Sequence, residues 1–143
     1  MALAESRNLK GLRLLVVEDE ALIALFIEDL VLSFGCILAG KASTVTEALK
    51  LIQTVPFDGA LIDVNLGGEL AAPVTRALSD KQIPFILVTG YETPPLDGLP
   101  VVHKPFEASN LLIKIIQHLR PNGRADNLGE RGTLAAAPRR SIG

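Results

Sequence analysis

The sequence of 143 residues has a formal net charge of −2 at pH 7, 48% hydrophobic residues, no tryptophan and one tyrosine. This composition gives no support to a nucleic-acid surface, which is normally basic and often aromatic, and no apolar stretch approaches the roughly 20 residues that span a bilayer. Cys36 is the only cysteine, so an intramolecular disulfide and a cysteine-based metal site are both excluded. Because the N-terminus also lacks the pattern of a secretory signal, we expect a cytoplasmic protein.

The first part of the chain predicts three strands separated by two helices. The expected elements are a strand at 12–17, a helix at 20–33, a strand at 36–40, a helix that runs to about 53 and a strand at 59–63. Asp19 is the expected N-cap of the first helix, and Gly35 can end it. Thr44 or Thr46 can cap the second helix, and the third strand ends at Asp63.

The second part of the chain predicts a loop, two helices and two further strands. The expected elements are a glycine-bearing loop at 64–69, a helix at 70–79, strands at 84–88 and 101–102, and a helix at 108–119. Three prolines and one glycine within 92–100 exclude a regular helix between the last two strands. Residues 1–10 are expected to be an N-terminal extension, 11–120 one folded domain and 121–143 a disordered tail, since the tail has no sustained apolar period.

This alternation of strands and helices predicts an α/β fold with a doubly wound parallel sheet, because right-handed crossovers place helices on both faces. Five strands suit the flavodoxin-like strand order 2-1-3-4-5, with an irregular or missing fourth helix. In such a sheet ligands bind in the crevice outside the carboxyl ends of the strands. Side chains that close the strands are therefore the first candidates for function.

Three acidic side chains close the predicted strands next to this crevice. Glu18 and Asp19 follow the first strand, and Asp63 ends the third. Clustered carboxylates raise one another's proton affinity unless a cation lies among them. Magnesium, which prefers oxygen ligands, suits this set, with the backbone carbonyl of Asn65 as a further ligand. No histidine or cysteine cluster favours zinc.

A hydroxyl and an ammonium group close the other two strands and extend the prediction to phosphoryl transfer. Thr89 and Lys104 are placed to neutralise the oxygens of a transferred phosphoryl group, with Asp63 as the nucleophile that forms an acyl phosphate. Pro105 can fix a turn, through a cis bond, that aims the lysine inward. Each of these residues alone would be read as a cap, a turn or a solvated charge; their joint placement favours function.

Taken together, these residues resemble a receiver domain of two-component response regulators, the CheY-like form of the flavodoxin-like fold, over about residues 12–119. The resemblance implies that Glu18 and Asp19 bind magnesium, Asp63 becomes 4-aspartylphosphate, Thr89 is the switch hydroxyl and Lys104 binds phosphate. It also implies a phosphoryl donor, either a sensor histidine kinase or a histidine phosphotransfer protein, and slow loss of the phosphate to water. Such a protein is a signalling switch rather than a metabolic enzyme.

Two features depart from most receivers. The position three residues before the lysine is usually aromatic, and here it is Val101. The segment 84–91 resembles the PFxFATGY signature of the FAT GUY response regulators, although Leu87 and Val88 replace its Phe and Ala. The resemblance implies that Tyr91 takes over part of the aromatic role and that the fourth helix is poorly ordered. The alternative for Tyr91 is an ordinary packed tyrosine.

The first helix is expected to have a core face and an outer face. The core face comprises Ile23, Phe26, Ile27, Leu30 and Phe34. Leu25 and Leu32 project to the outer face, and exposed leucines can mark a partner site. Since this helix commonly docks the kinase in receivers, we expect Leu25 to lie in that interface; scattered surface leucines are the alternative.

We therefore interpret the sequence as a stand-alone response regulator that signals to an unknown downstream protein by contact or acts as a phosphate sink. One competing class is an aspartate-nucleophile phosphatase, which needs an acid two residues after the nucleophile. Asn65 occupies that position and cannot serve. The other competing class is a receiver-like interaction module that is never phosphorylated, and the complete five-residue set argues against it.

Overall fold

The computed structural model of the protein describes residues 9–90 and 99–119. We number its elements in chain order. They are β1 (Arg13–Val17), α1 (Ala21–Ser33), β2 (Ile37–Ala42), α2 (Val45–Thr54), β3 (Gly59–Asp63), β4 (Asn65–Leu66), β5 (Glu69–Leu70), α3 (Ala72–Asp80), β6 (Phe85–Gly90), β7 (Val101–Lys104) and α4 (Ala108–His118). Apart from the short pair β4 and β5, the sequence predicted each of these elements.

The five main strands form one parallel sheet in the order β2-β1-β3-β6-β7. Counted along the chain as five strands, this is the order 2-1-3-4-5, so the predicted doubly wound, CheY-like architecture is confirmed. The carboxyl ends of β1 and β3 are neighbours at the centre of the sheet. The order reverses there, and a crevice opens above the strand ends.

Alternate residues of each strand supply two apolar cores, one on each face of the sheet. We call the core that includes Leu15, Val17 and residues of α2 and α3 the first core. The second core includes Leu14, Val16 and residues of α1 and α4. Both faces are covered by helices, which explains why the central strands are nearly continuous apolar runs.

The two predicted helix starts differ in outcome. Thr44 caps α2, as expected, because its Oγ1 accepts a hydrogen bond from the Glu47 backbone N–H at 3.0 Å. The prediction that Asp19 caps the first helix is wrong, since the N-cap residue is Glu20, and the Glu20 side chain makes no capping hydrogen bond. The Glu18 carboxylate instead accepts a hydrogen bond from the Glu20 backbone N–H at 3.1 Å.

The helix α1 buries less of its predicted core face than expected. Ile27 is buried, and so is Val31, which the sequence prediction omitted. Phe26 was assigned to the core but is 43% exposed, and its ring lies 5.7 Å from that of Phe106, between centroids. Leu25 is 49% exposed, as predicted for the outer face.

The predicted loop after Asp63 contains a small hairpin. In this hairpin β4 and β5 pair antiparallel, with Asn65 opposite Leu70. The turn residues Gly67 and Gly68 have φ of +60° and +91°, and glycine takes up positive φ at no steric cost. The sequence predicted the glycines but not the pairing, because two-residue strands carry no periodicity to detect.

Several predictions concern residues outside the described ranges. Residues 1–8, 91–98 and 120–143 are not described, so most of the N-terminal extension, Tyr91, most of the proline-rich segment and the C-terminal tail all lie there. Within the described ranges, Leu99 and Pro100 belong to no helix. No helix in these ranges has the length and hydropathy needed to cross a membrane.

An ion pair between Arg13 and Asp58 links the amino ends of β1 and β3, at the end of the sheet opposite the crevice. The carboxylate of Asp58 accepts hydrogen bonds from the Arg13 backbone N–H at 2.8 Å and from the Arg13 guanidinium at 3.2 Å. The Asp58 N–H in turn donates to the Arg13 carbonyl oxygen at 2.7 Å. These contacts join the start of β1 to the residue that precedes β3.

We expect Asp58→Ala to lower the free energy of unfolding by about 1–2 kcal/mol, because hydrogen bonds to a charged group are lost. Asp29→Ala, at an exposed position of α1, is the control and should change it by less than about 0.5 kcal/mol. Urea denaturation of the three proteins measures both effects. Equal stability of the two variants would contradict a stabilising role for the hydrogen bonds between Asp58 and Arg13.

Candidate functional site at the strand ends

Three carboxylates meet above the carboxyl ends of β1 and β3. Glu18 and Asp19 directly follow β1, and Asp63 is the last residue of β3. One oxygen from each lies within 4.8 Å of the others. Glu18 and Asp63 are buried, with 3% and 5% of their surface exposed, whereas Asp19 is half-buried. The predicted acidic cluster therefore exists in the fold.

Lys104 supplies the positive charge of this cluster. Its Nζ lies 3.0 Å from Glu18 Oε1 and 3.4 Å from Asp63 Oδ2. The lysine ends β7, where it lies opposite Gly90 of β6, and its bond to Pro105 is cis, as the sequence suggested. The sheet thus brings Asp63 close to Lys104, although the two residues are 41 positions apart in the sequence.

Strand alternation explains which side chains share a face. In β1, Val16 belongs to the second core, so Glu18 continues on that face. Leu61 and Val102 also belong to the second core, which places Asp63 and Lys104 on the same face. The three charged groups therefore lie on the side of the sheet that α1 covers.

Thr89 lies on the opposite face, because Leu87 of the same strand belongs to the first core. The residue is 2% exposed, and its hydroxyl donates to the Gly90 carbonyl oxygen at 3.3 Å. In this structure the hydroxyl is thus outside the ion pairs that surround Lys104. Its predicted role as a switch requires a change of partner.

Burial dominates the electrostatics of the two inner carboxylates. It raises the pKa of Glu18 to about 7, a shift that neighbouring Asp63 increases and that the Glu20 N–H and Lys104 oppose. Burial also raises the pKa of Asp63, against the opposing N–H of Asn65. For Lys104, burial lowers the pKa, but the ion pairs with Glu18 and Asp63 outweigh it and the net pKa is raised.

The donor set fits a hard divalent cation. Glu18 Oε1 is buried and has no hydrogen-bond partner among the described residues, although the Lys104 ammonium is near it. All three converging groups are carboxylates, which are ligands that magnesium and calcium prefer. Asn65, whose backbone carbonyl was predicted as a further ligand, lines the same cleft, and its N–H donates to Asp63 Oδ1 at 3.1 Å.

The cleft above these groups has a volume of about 420 Å³. The residues that line it are Asp19, Glu20, Asp63, Asn65, Gly67, Gly68, Gly90 and Lys104. The hairpin forms one wall, where a Cβ on Gly67 would lie 3.6 Å from Asp19 Oδ2. Its two glycines keep side chains out of the space above the acids.

One residue of the site, Glu20, was not predicted from the sequence. The pattern placed it only in the first helix, but Glu20 Oε1 lies 3.4 Å from Lys104 Nζ. The acidic run at 18–20 was visible in the sequence. Nothing local indicated that the third acid would meet a lysine 84 positions away.

The remaining predicted residues lie around the cleft. Val101 begins β7, is half-buried and packs against the first core, so no aromatic ring occupies that position. Pro105 is exposed and leads into Phe106, which packs against the second core. Leu25 projects from α1. Tyr91 lies outside the described residues.

Comparison with known proteins gives curated relatives of greater length. No protein-family model matches the chain. The phyllosphere-induced regulator PhyR of Methylorubrum extorquens is 32% identical over 114 residues, which are 74% of this chain and 43% of the relative. The chain spans about half the length of the curated relatives it matches.

Two similar solved structures are covered almost completely. SdrG from Sphingomonas melonis Fr1 is 35% identical with a TM-score of 0.66, and the match covers 73% of this chain and 93% of SdrG. The response regulator REC domain of Erythrobacter litoralis PhyR is 30% identical with a TM-score of 0.66, covering 76% of this chain and 89% of that domain. Both the sequence and the fold are therefore shared over the described sheet and helices.

The raised pKa of Glu18 makes stability depend on pH. Because the folded state binds the Glu18 proton more tightly than the unfolded state does, protonation of this group stabilises the folded state. This contribution is fully present below the ordinary pKa of 4.5 and is lost as the pH rises through about 7. Without divalent cations, we expect the free energy of unfolding of the wild type to fall relative to that of Glu18→Gln over this interval, by on the order of 2 kcal/mol.

Urea denaturation at a series of pH values in the presence of a chelator measures this difference. Glu28→Gln removes an acid from the same region but away from the cleft, where Glu28 pairs with Lys41 at 3.0 Å, and should keep the wild-type pH dependence. Parallel pH profiles of the wild type and Glu18→Gln would refute the electrostatic description of the cluster.

Proposed function

The chain belongs to the receiver-domain family of response regulators, and from this we propose that it accepts a phosphoryl group on Asp63 from the phosphohistidine of a sensor kinase or phosphotransfer protein. Receiver domains are signalling switches, so the general role is two-component signal transduction. The observation that carries the specific proposal is the contact between a buried strand-end aspartate and a lysine at 3.4 Å, within a cluster of three carboxylates.

The chemistry of the transfer follows from this arrangement. A carboxylate oxygen of Asp63 attacks phosphorus, an oxygen–phosphorus bond forms while the phosphorus–nitrogen bond breaks, and the imidazole leaves with the electron pair of that bond. Negative charge spreads over the three equatorial phosphoryl oxygens. Lys104, already beside Asp63, pairs with one of them, and the Thr89 hydroxyl can reach another only by leaving the Gly90 carbonyl.

Magnesium would be held by Glu18, Asp19 and Asp63, with the Asn65 carbonyl, and would supply positive charge for the phosphoryl oxygens. Two properties of the carboxylates themselves support magnesium binding at this position. The buried Glu18 Oε1 makes no hydrogen bond among the described residues beyond its 3.0 Å ion pair with Lys104, and burial raises the pKa of both Glu18 and Asp63. A cation at this position would relieve both conditions.

A phosphatase function is less well supported by the same site. Asn65 stands two residues after Asp63, and its amide Oδ1 accepts a hydrogen bond from the Gly68 N–H at 2.9 Å. A side-chain amide does not titrate near neutral pH, so Asn65 cannot act as a general acid or base. The proposed output is therefore a conformational signal, read by a downstream protein through contact, or the storage of phosphate as a sink. Stand-alone action of the chain remains a prediction.

A surface for the phosphoryl donor adjoins the cleft. Leu22, Leu25 and Phe26 are 80%, 49% and 43% exposed, and the spacing places them on one face of the first turns of α1. The same helix begins beside the acidic cluster at Glu20. We propose that a kinase or phosphotransfer helix docks here, with Leu25 in the interface.

Incubation with magnesium and acetyl phosphate, followed by intact mass measurement, tests the phosphoacceptor. We expect the wild type to gain one labile phosphoryl group and Asp63→Asn to gain none, since the amide cannot form an acyl phosphate. Asp80→Asn, at an exposed position near the end of α3, should behave as the wild type. If the wild type stays unmodified in saturating magnesium, the proposed function is wrong.

Leu25→Asp tests the docking surface. With a kinase or phosphotransfer protein that phosphorylates the wild type, we expect transfer to slow by about tenfold or more, because burial of a leucine contributes about 1.5–3 kcal/mol. Phosphorylation by acetyl phosphate should not change. Leu32→Asp alters a leucine of similar exposure, 48%, near the other end of α1, and should slow transfer by less than about twofold. Equal slowing by both variants would refute a local interface at Leu25.

A further inference from the structure

The carboxylate of Glu20 differs in setting from the other two that surround Lys104. The side chains of Glu18 and Asp63 are 1% and 7% exposed, whereas that of Glu20 is 64% exposed. All three pair with the same Nζ, at distances between 3.0 and 3.4 Å. Glu20 is therefore the outermost partner of the lysine, at the rim of the cleft.

This placement gives Glu20 two physical effects on any phosphoryl donor. Its carboxylate accepts a hydrogen bond from the Lys104 ammonium. That N–H is then not free to donate to an incoming phosphoryl oxygen. Glu20 also adds a negative charge at the point where an anionic donor must pass, because it lines the same cleft as Asp63. Both effects oppose a donor that carries its own negative charge and reaches the cleft by diffusion.

Within residues 9–90 and 99–119, the Glu20 side chain makes no hydrogen bond other than that with Lys104. Glu20 is the N-cap residue of α1, yet its side chain makes no capping hydrogen bond there. Its backbone, not its side chain, takes part in the local structure: the N–H donates to Glu18 Oε2 at 3.1 Å, and the carbonyl oxygen accepts from the Ala24 N–H at 2.9 Å. A change of the side chain to an amide thus removes the charge and leaves the helix start intact.

We propose that Glu20 is a positioning residue that restrains Lys104 and shields Asp63 from small anionic phosphodonors. This inference rests on the proposed function, because it assigns a selectivity to the phosphorylation of Asp63. A partner docked on α1 presents its phosphohistidine at fixed geometry, and so overcomes the rim charge with binding contacts that a small metabolite lacks.

The test compares phosphorylation rates at saturating magnesium with two donors, dianionic acetyl phosphate and monoanionic phosphoramidate. Glu20→Gln should accelerate the reaction with acetyl phosphate by about two- to fivefold, the range expected for an exposed ion pair. The gain should be smaller with phosphoramidate. It should also shrink at about 0.5 M salt, where screening is strong.

Two further variants serve as matched controls. Glu28→Gln removes the same charge from α1, from a carboxylate that pairs with Lys41 instead, and should leave both rates at the wild-type value. Glu20→Asp keeps the negative charge at the rim of the cleft and should react at a rate close to that of the wild type.

The outcomes separate the inference from the function on which it rests. If the wild type is phosphorylated at Asp63 but Glu20→Gln reacts no faster, the inference is wrong and the function stands. The inference is also wrong if Glu28→Gln gives an equal gain or if Glu20→Asp reacts as fast as Glu20→Gln. If the wild type takes up no phosphoryl group, both fail.

Discussion

The attraction between one lysine and two buried carboxylates is the constraint on which the site depends. Lys104 Nζ lies 3.0 Å from Glu18 and 3.4 Å from Asp63, both almost fully removed from solvent. Burial of two neighbouring carboxylates disfavours their charged forms and raises the pKa of each. One ammonium offsets only part of this negative charge, and further positive charge would stabilise the charged forms. The proposed phosphoryl chemistry and the proposed cation binding both rest on that imbalance.

The fold holds this imbalance in place through two apolar cores. Glu18, Asp63 and Lys104 each lie two positions beyond a second-core residue, so the alternation of buried strands directs all three to the α1 side of the sheet. A shift of one residue in any strand would send its charged group to the other face. The packed, nearly continuous apolar strands therefore determine the geometry of the charges. Thr89, one position out of phase, lies on the side of the first core, to which Leu87 of the same strand belongs.

Two segments outside the five-stranded sheet form walls of the cleft. The hairpin of β4 and β5 places glycines above the acids, and the start of α1 places Glu20 beside the lysine. The exposed face of α1 with Leu25 continues from the same end of the helix. The residue proposed to select among phosphoryl donors and the surface proposed to dock them therefore lie at the same end of one helix.

The sequence by itself predicted the main strands and the positions of Glu18, Asp19, Asp63, Thr89 and Lys104 at strand ends, because buried strands and their turns have a local pattern. The strand order was expected from the fold class that this alternation suits, and the structure confirms it. Prediction from the sequence erred where neighbours far along the chain decide the outcome. Phe26 was assigned to the core from helical spacing alone, but α1 lies on the sheet in an orientation that buries Val31 instead. Asp19 was assigned as a cap, although the helix begins one residue later. Only the tertiary structure showed that Glu20 meets Lys104 and that Thr89 faces away from it, since side-chain contacts between residues as much as 84 positions apart arise from packing, and no local pattern in the sequence encodes them.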